Sequence, residues 1–151
     1  MTIKWSWEQV EAAVDDLAKR FVDVKTTKEK IAICGVPIGG IIPAVLLRKK
    51  LKNCNLAIIN TNKKEEFLNF LGFDRVIFVD DINDSGETLE GIKEKMEDIF
   101  QGLPKPLFVF ATLIKRRKSK MVSYSSIDLE DDTWVVMPWE YNEEEMRNRD
   151  E

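Results

Sequence analysis

The feature of this sequence that most constrains its fold is an apolar run that ends in a cluster of acids and small residues. Residues 75–79 have the composition of a strand buried on both faces, and the polar stretch Asp-Asp-Ile-Asn-Asp-Ser-Gly-Glu-Thr follows at once over residues 80–88. The next apolar residues recur at helical spacing: Leu89, Ile92, Met96 and Ile99. A strand, a polar loop and a helix in this order predict one unit of a parallel sheet.

Similar units make up most of the chain. Helices are predicted over residues 7–22, where Ser6 and Gln9 form a capping box, and over residues 41–51. Further strands are predicted over residues 31–34, 56–59 and 107–114, with shorter strand-like pieces at 121–125 and 133–137. Residues 61–72 are predicted to form a short helix or a lid-like segment. We therefore expect an α/β fold with a parallel sheet of about five strands, helices on both faces and ligands at the carboxyl ends of the strands.

Composition limits the possible functions. The 151 residues, 44% of them hydrophobic, suit one domain with a single core. Six acids and two bases fall in residues 140–151, so the net charge of −4 belongs to the end of the chain. We predict a domain over residues 1–140 and an acidic tail over residues 141–151. The balanced remainder gives no support to a general role on nucleic acid or on a membrane surface.

The residue types that are scarce also exclude some chemistry. The chain has no histidine, which excludes His-based triads, general bases and metal sites. Its two cysteines, Cys34 and Cys54, lie in apolar surroundings at a spacing that fits no zinc or redox motif. We expect buried thiols in a reducing compartment and, since no signal peptide is evident at the start, a cytoplasmic protein.

The loop over residues 84–88 has the features of a phosphate site. Backbone amides at a helix start, the hydroxyls of Ser85 and Thr88 and the close approach that Gly86 permits would together cradle a phosphate dianion. The preceding carboxylates, Asp80 and Asp81, could accept hydrogen bonds from a sugar diol or hold Mg²⁺. Two other interpretations remain open, namely a helix cap with solvated acids and a calcium loop that begins at Asp81.

Residues 76–88 resemble the phosphoribosyl pyrophosphate (PRPP) motif of the type I phosphoribosyltransferases. Two further segments resemble the bacterial xanthine-guanine phosphoribosyltransferases. Residues 132–140, Asp-Thr-Trp-Val-Val-Met-Pro-Trp-Glu, are similar to their carboxyl-terminal base-binding segment, and residues 5–51 follow their opening in order and spacing. The resemblance thus covers most of the chain and implies a Mg²⁺-dependent enzyme of purine salvage that uses PRPP and a 6-oxopurine base. We also expect a homo-oligomer.

The resemblance implies a role for each matching residue. Asp84 would be the acid–base group at purine N7, and Asp80 and Asp81 would bind the ribose hydroxyls. The base would be bound by Lys115 and Trp134. The remaining roles are a 5′-phosphate cradle of Asp84, Ser85, Gly86, Glu87 and Thr88, a pyrophosphate loop of Pro37, Ile38, Gly39 and Gly40, a backbone contact to the base from Val135, and metal binding by Asp81 and Glu140.

The sequence departs from the family at two places. Ile38 stands where the nearest relatives carry a cation, for which Arg48 or a residue of the basic run 115–120 could substitute. The segment between Ile59 and Arg75 is shorter than the family's mobile lid. These departures leave two alternatives open: a non-catalytic sensor of PRPP or nucleotide on the same fold, and a regulator that contacts RNA through residues 115–120.

Overall fold

The computed structural model describes residues 1–130 and 132–141, so the predicted acidic tail lies outside the described residues except for Tyr141. The strands are β1 (Thr2–Lys4), β2 (Ile31–Gly35), β3 (Asn55–Ile58), β4 (Arg75–Asn83), β5 (Leu107–Arg116), β6 (Tyr124–Leu129) and β7 (Trp134–Val136). The helices are α1 (Trp7–Arg20), α2 (Ile41–Leu51) and α3 (Glu87–Ile99), with 3₁₀ turns at Val22–Lys25, Lys64–Phe70 and Pro138–Glu140. No helix in these described ranges is long and apolar enough to cross a membrane.

The main sheet confirms the predicted architecture. Five strands pair in the order β3-β2-β4-β5-β6, and every pair is parallel. Alternate residues of the central strands enter two cores: Ile77 and Val79 pack beneath α1 and α2, whereas Val76 and Phe78 pack beneath α3 and the 64–70 turn. Because both faces are covered, the ends of the strands remain as the place for a site.

The observed helices begin and end close to the residues that local sequence patterns predicted. The capping box forms as expected, since Gln9 N donates to Ser6 Oγ at 3.2 Å and Ser6 N donates to Gln9 Oε1 at 2.8 Å. The second helix has the predicted limits, 41–51. The first helix ends at Arg20, two residues early, because the chain tightens into the 3₁₀ turn that buries Val24.

Two parts of the strand prediction were wrong. Residues 121–125 were predicted as a strand, but β6 begins at Tyr124, because residues 117–123 cross back over the sheet and their polar groups bind side chains of β4 and β5. The first strand, β1, was not predicted. It is three residues long and exists through parallel pairing with β7, which no local pattern in Thr-Ile-Lys could reveal.

Candidate active site

Three neighbouring strands deliver their carboxyl ends to one edge of the sheet. Gly35 of β2 lies opposite Val79 of β4, and Asn83 of β4 lies opposite Lys115 of β5. The segments that follow these positions contain most of the residues singled out in the sequence: the pyrophosphate loop 37–40, the acids of β4 and the loop after it, and Lys115. The register therefore brings the predicted PRPP and base contacts to the same edge.

The pyrophosphate loop lies directly against the acids of β4. A Cβ on Gly39 would lie 2.5 Å from Asp81 Oδ2, and a Cβ on Gly40 would lie 2.9 Å from Asp80 Cα. Both positions therefore require glycine for close approach. Within the loop the Pro37–Ile38 peptide bond is cis, and Val36 N donates to Val79 O at 2.8 Å. The loop and the two acids form one continuous wall of the site.

The two acids of β4 repel each other. Asp80 is partly buried, and desolvation together with the adjacent Asp81 carboxylate raises the pKa of Asp80 to about 8. The Asp80 Oδ1 atom accepts from Asp81 N at 2.8 Å, and Asp81 Oδ1 accepts from Ile82 N at 2.8 Å. A close pair of carboxylates with a raised pKa is an arrangement that a bound cation would stabilise.

The carboxylate pair fits Mg²⁺ in its usual protein setting. This ion is commonly bound through one or two carboxylates, with water and substrate oxygens completing the octahedron. Over residues 1–130 and 132–141 no cluster of three or more acidic or cysteine side chains is placed to hold a metal alone. A Mg²⁺ site here would therefore depend on oxygens of the substrate.

The loop between β4 and α3, where the sequence predicts a phosphate cradle, borders a small pocket. This pocket is lined by residues 82–86, 88 and 89 at the start of the 13-residue α3. Gly86 has φ +90°, a left-handed conformation that glycine adopts without strain, and Ser85 Oγ accepts from Glu87 N at 3.3 Å. The first amides of α3 thus face a pocket suited to an anion.

A polar network fixes the segment 117–123 behind this cradle. Ser119 Oγ donates to Asn83 Oδ1 at 2.6 Å, while Asn83 Nδ2 donates to Met121 O at 2.9 Å and Ser123 Oγ at 3.1 Å. A Cβ on Gly86 would approach Ser119 Oγ to 2.7 Å. Because the Asn83 side chain is buried and engaged here, the calcium-loop interpretation, which needs it as a ligand, is wrong.

Asp84 lies next to two cations of the basic run. Arg116 Nε is 2.9 Å and Lys118 Nζ is 3.2 Å from Asp84 Oδ1. Arg116 is only 5% exposed, and its second nitrogen donates to Thr133 O at 2.5 Å. The sequence showed the basic run but did not predict that Arg116 is buried. Its burial follows from the inward and outward alternation of side chains along β5, which was predicted to end at residue 114 but extends to residue 116.

The predicted base-binding residues lie on two strands, Lys115 on β5 and Trp134 and Val135 on β7. Trp134 starts β7 and its side chain is 62% exposed, whereas Val135 is buried. Lys115 Nζ lies 3.5 Å from Arg116 O and 3.4 Å from Ser119 O, close to the segment 117–123. The exposed indole offers a stacking face, and the ammonium offers a hydrogen-bond donor.

Glu140 lies on a separate short turn. Its Oε2 atom accepts from Met137 N at 3.1 Å, and its neighbour Trp139 packs on Trp7 with ring centroids 5.9 Å apart. No described contact links Glu140 to Asp81. Metal binding by Glu140 therefore stays a prediction.

The structure places the two positions at which the sequence departs from the family pattern in different surroundings. Ile38 is 81% exposed at the tip of the pyrophosphate loop. Arg48 is not a substitute cation, because it lies in the last turn of α2, at the opposite edge of the sheet, where Nε donates to Cys54 O at 3.2 Å. The short segment after β3 is anchored, since Phe67 and Phe70 are fully buried.

Known proteins are similar to this chain in sequence and in fold. No protein-family model matches the chain. A xanthine-guanine phosphoribosyltransferase of Idiomarina loihiensis is 26% identical over 89% of this chain and 84% of its own length. The purine phosphoribosyltransferase structure from Pyrococcus horikoshii has a TM-score of 0.69 and 26% identity over 93% of this chain and 95% of that chain.

The chain resembles the purine phosphoribosyltransferases. The Helicobacter pylori xanthine-guanine-hypoxanthine phosphoribosyltransferase has the same fold, with a TM-score of 0.71 over 98% of this chain and 99% of that chain, at 16% identity. These relatives indicate a phosphoribosyltransferase enzyme and confirm the expected family resemblance and fold.

Proposed function

We propose that this chain transfers the phosphoribosyl group of PRPP to a 6-oxopurine base and releases pyrophosphate. The observation that carries the proposal is one unbroken series of contacts at the sheet edge. Gly39 touches Asp81, the acids of β4 lead into the phosphate cradle, and Asp84 reaches Thr133 through Arg116. Trp134 follows at the end of this series. The series offers a contact for each group of PRPP and for the base.

Each part of PRPP has a suitable partner in this series. The cradle amides and hydroxyls of residues 84–88 would bind the 5′-phosphate, and Asp80 and Asp81 would accept hydrogen bonds from the ribose hydroxyls. The loop 37–40 would lie along the pyrophosphate. Mg²⁺, held by Asp81 and substrate oxygens, would supply charge neutralisation on the leaving group.

The base would lie between Asp84 and the exposed face of Trp134. Asp84 would accept the N7 proton as the bond between ribose C1 and base N9 forms, which is general base catalysis. Lys115 would donate to the 6-oxo oxygen, and an adenine amino group could not accept that bond. This difference would favour 6-oxopurines over adenine.

Two features suit the alternative of a non-catalytic PRPP or nucleotide sensor, although the enzymes among the relatives do not favour it. The exposed Ile38 provides no charge for pyrophosphate, and the anchored segment after β3 is short for a lid. A regulator that binds RNA through residues 115–120 is not favoured, because Arg116 is buried and Lys118 pairs with Asp84. The homo-oligomer and the cytoplasmic location stay predictions.

A panel of bases separates the enzyme from the sensor. The protein would be incubated with PRPP, Mg²⁺ and guanine, xanthine, hypoxanthine or adenine, and nucleotide formation followed by chromatography. The enzyme predicts nucleotide from at least one 6-oxopurine and little from adenine. Tight calorimetric binding of PRPP or nucleotide without turnover of any base would favour the sensor.

A further inference from the structure

Arg116 occupies an unusual position for a residue of a basic run. It ends β5, it is 5% exposed, and its guanidinium contacts residues of two other segments. Nε lies 2.9 Å from Asp84 Oδ1, and a terminal nitrogen donates to Thr133 O at 2.5 Å. One buried side chain therefore joins the start of the loop after β4 to the segment that contains Trp134.

We infer that Arg116 is a positioning residue that sets the distance and orientation between Asp84 and the base-binding segment. The inference rests on the proposed function, and it assigns a role to a residue that the family resemblance did not single out. Arg116 would not touch the substrate itself. It would act through the Asp84 carboxylate and through the backbone of Thr133.

The chemistry of arginine suits this role. A guanidinium is planar and always charged, and its donors have a fixed geometry, so one group can bind a carboxylate and a carbonyl at once. Lysine carries a point charge on a flexible stem and would not hold both partners at set directions. Removing the buried cation would leave Asp84 and the Thr133 carbonyl without the group that aligns them.

The geometry also leaves Asp84 able to react. Both described ion pairs fall on Oδ1, and the side chain is 49% exposed. Arg116 thus binds one carboxylate oxygen, and Asp84 also lines the small pocket at the start of α3. Lys118, whose side chain is 57% exposed, shares Oδ1 but has the weaker influence expected of a solvated ion pair.

A positioning role for Arg116 predicts changes in kcat and in KM for the base that a loss of protein stability alone would not cause. Arg116→Ala should lower kcat, because a misaligned general base loses rate, by roughly 10-fold to 10²-fold. It should also raise KM for the base, since the segment carrying Trp134 loses its tie. KM for PRPP should change little, because Asn83 ties the cradle to the segment 117–123 and the acids of β4 accept from backbone amides of their own strand.

The neighbouring arginine is the matched control. Arg117 is exposed and pairs with Glu130 at 2.6 Å, away from Asp84. Arg117→Ala removes the same side chain one position further along and should leave kcat and both KM values unchanged. Circular dichroism and thermal melting of both variants measure any loss of folding.

A double-mutant cycle tests whether Arg116 acts through Asp84. In an Asp84→Asn background the loss of Arg116 should reduce kcat by less than about threefold, because the group that it aligns is already inactive. Millimolar guanidinium should partly restore kcat in Arg116→Ala, whereas it would not restore a merely unstable protein. If Arg116→Ala does not fold, Arg116→Lys serves instead and should raise KM for the base while keeping the buried charge.

The outcomes separate the inference from the proposed function. A wild-type protein that forms no nucleotide would refute the proposed function. An active wild type whose folded Arg116 variants keep normal kcat and base KM would overturn only the role of Arg116. An equal loss of kcat in the wild-type and Asp84→Asn backgrounds would overturn it as well.

Discussion

Replacing Asp80 with asparagine should stabilise the free protein, and the gain should grow with pH. Burial and the Asp81 charge raise the pKa of Asp80 from 3.8 to about 8, so the folded state binds more protons than the unfolded state between these values. Stability must therefore fall as pH rises through this window and level off above it. The substituted amide would have no proton to lose over this range, and its oxygen could still accept from Asp81 N.

The size of the expected stability difference follows from the pH range between the two pKa values of Asp80. Each pKa unit corresponds to about 1.4 kcal/mol, so the wild type should lose roughly 2–4 kcal/mol between pH 5 and pH 8 that Asp80→Asn does not lose. For a chain of this length the variant should melt about 5–10 °C above the wild type at pH 8, with a smaller difference at pH 5.

Thermal melting across pH 5–9, without metal or substrate, is the assay for this prediction. Glu94→Gln, which removes one exposed negative charge from α3, is the matched control and should not change the pH profile. The same Asp80→Asn protein should bind PRPP more weakly, since strain of this kind is commonly kept for function. Parallel melting profiles for wild type and Asp80→Asn would refute the reasoning.

Three further predictions concern the reaction. Asp84→Asn should lower kcat by roughly 10²-fold or more with little change in PRPP affinity, measured by steady-state kinetics and calorimetry, and full turnover would exclude the assigned role. Trp134→Ala should weaken all purines together by about 1–3 kcal/mol, whereas Lys115→Ala should reduce the preference for hypoxanthine over adenine in kcat/KM. Equal losses in both variants would contradict the two roles. Ile38→Lys should tighten inhibition by pyrophosphate, because it adds a cation at the exposed loop tip, and an unchanged inhibition constant would place Ile38 away from the leaving group.

The sequence predicted the main sheet because its signals are local. The apolar run before Asp80 continues as a strand to Asn83, and hydrophobic spacing predicted α3 within two residues of its observed start at Glu87. The carboxyl ends of parallel strands share one edge, so the pattern also predicted that the acids after β4 and Lys115 of β5 lie at the same edge of the sheet. The two cysteines are buried and free, as predicted.

The features of the fold and of the site that the sequence did not predict depend on long-range contacts, which no local sequence pattern encodes. Nothing in Thr-Ile-Lys predicts β1, which forms because β7 returns beside it. The burial of Arg116 depends on Asp84 and Thr133, which approach it from two other segments. The segment 117–123 lacks strand structure because Asn83 and Thr112 bind its polar groups, contacts that join residues 11 to 40 positions apart.

The central claim is tested most directly by the stoichiometry of one reaction. The wild-type protein would be incubated with Mg²⁺, PRPP labelled in its pyrophosphate group, and guanine or hypoxanthine, while nucleotide and free pyrophosphate are quantified together. We expect one pyrophosphate released for each nucleotide formed, no release without a base, and a loss of both products in Asp84→Asn. PRPP that binds but yields neither product with any 6-oxopurine would contradict the account.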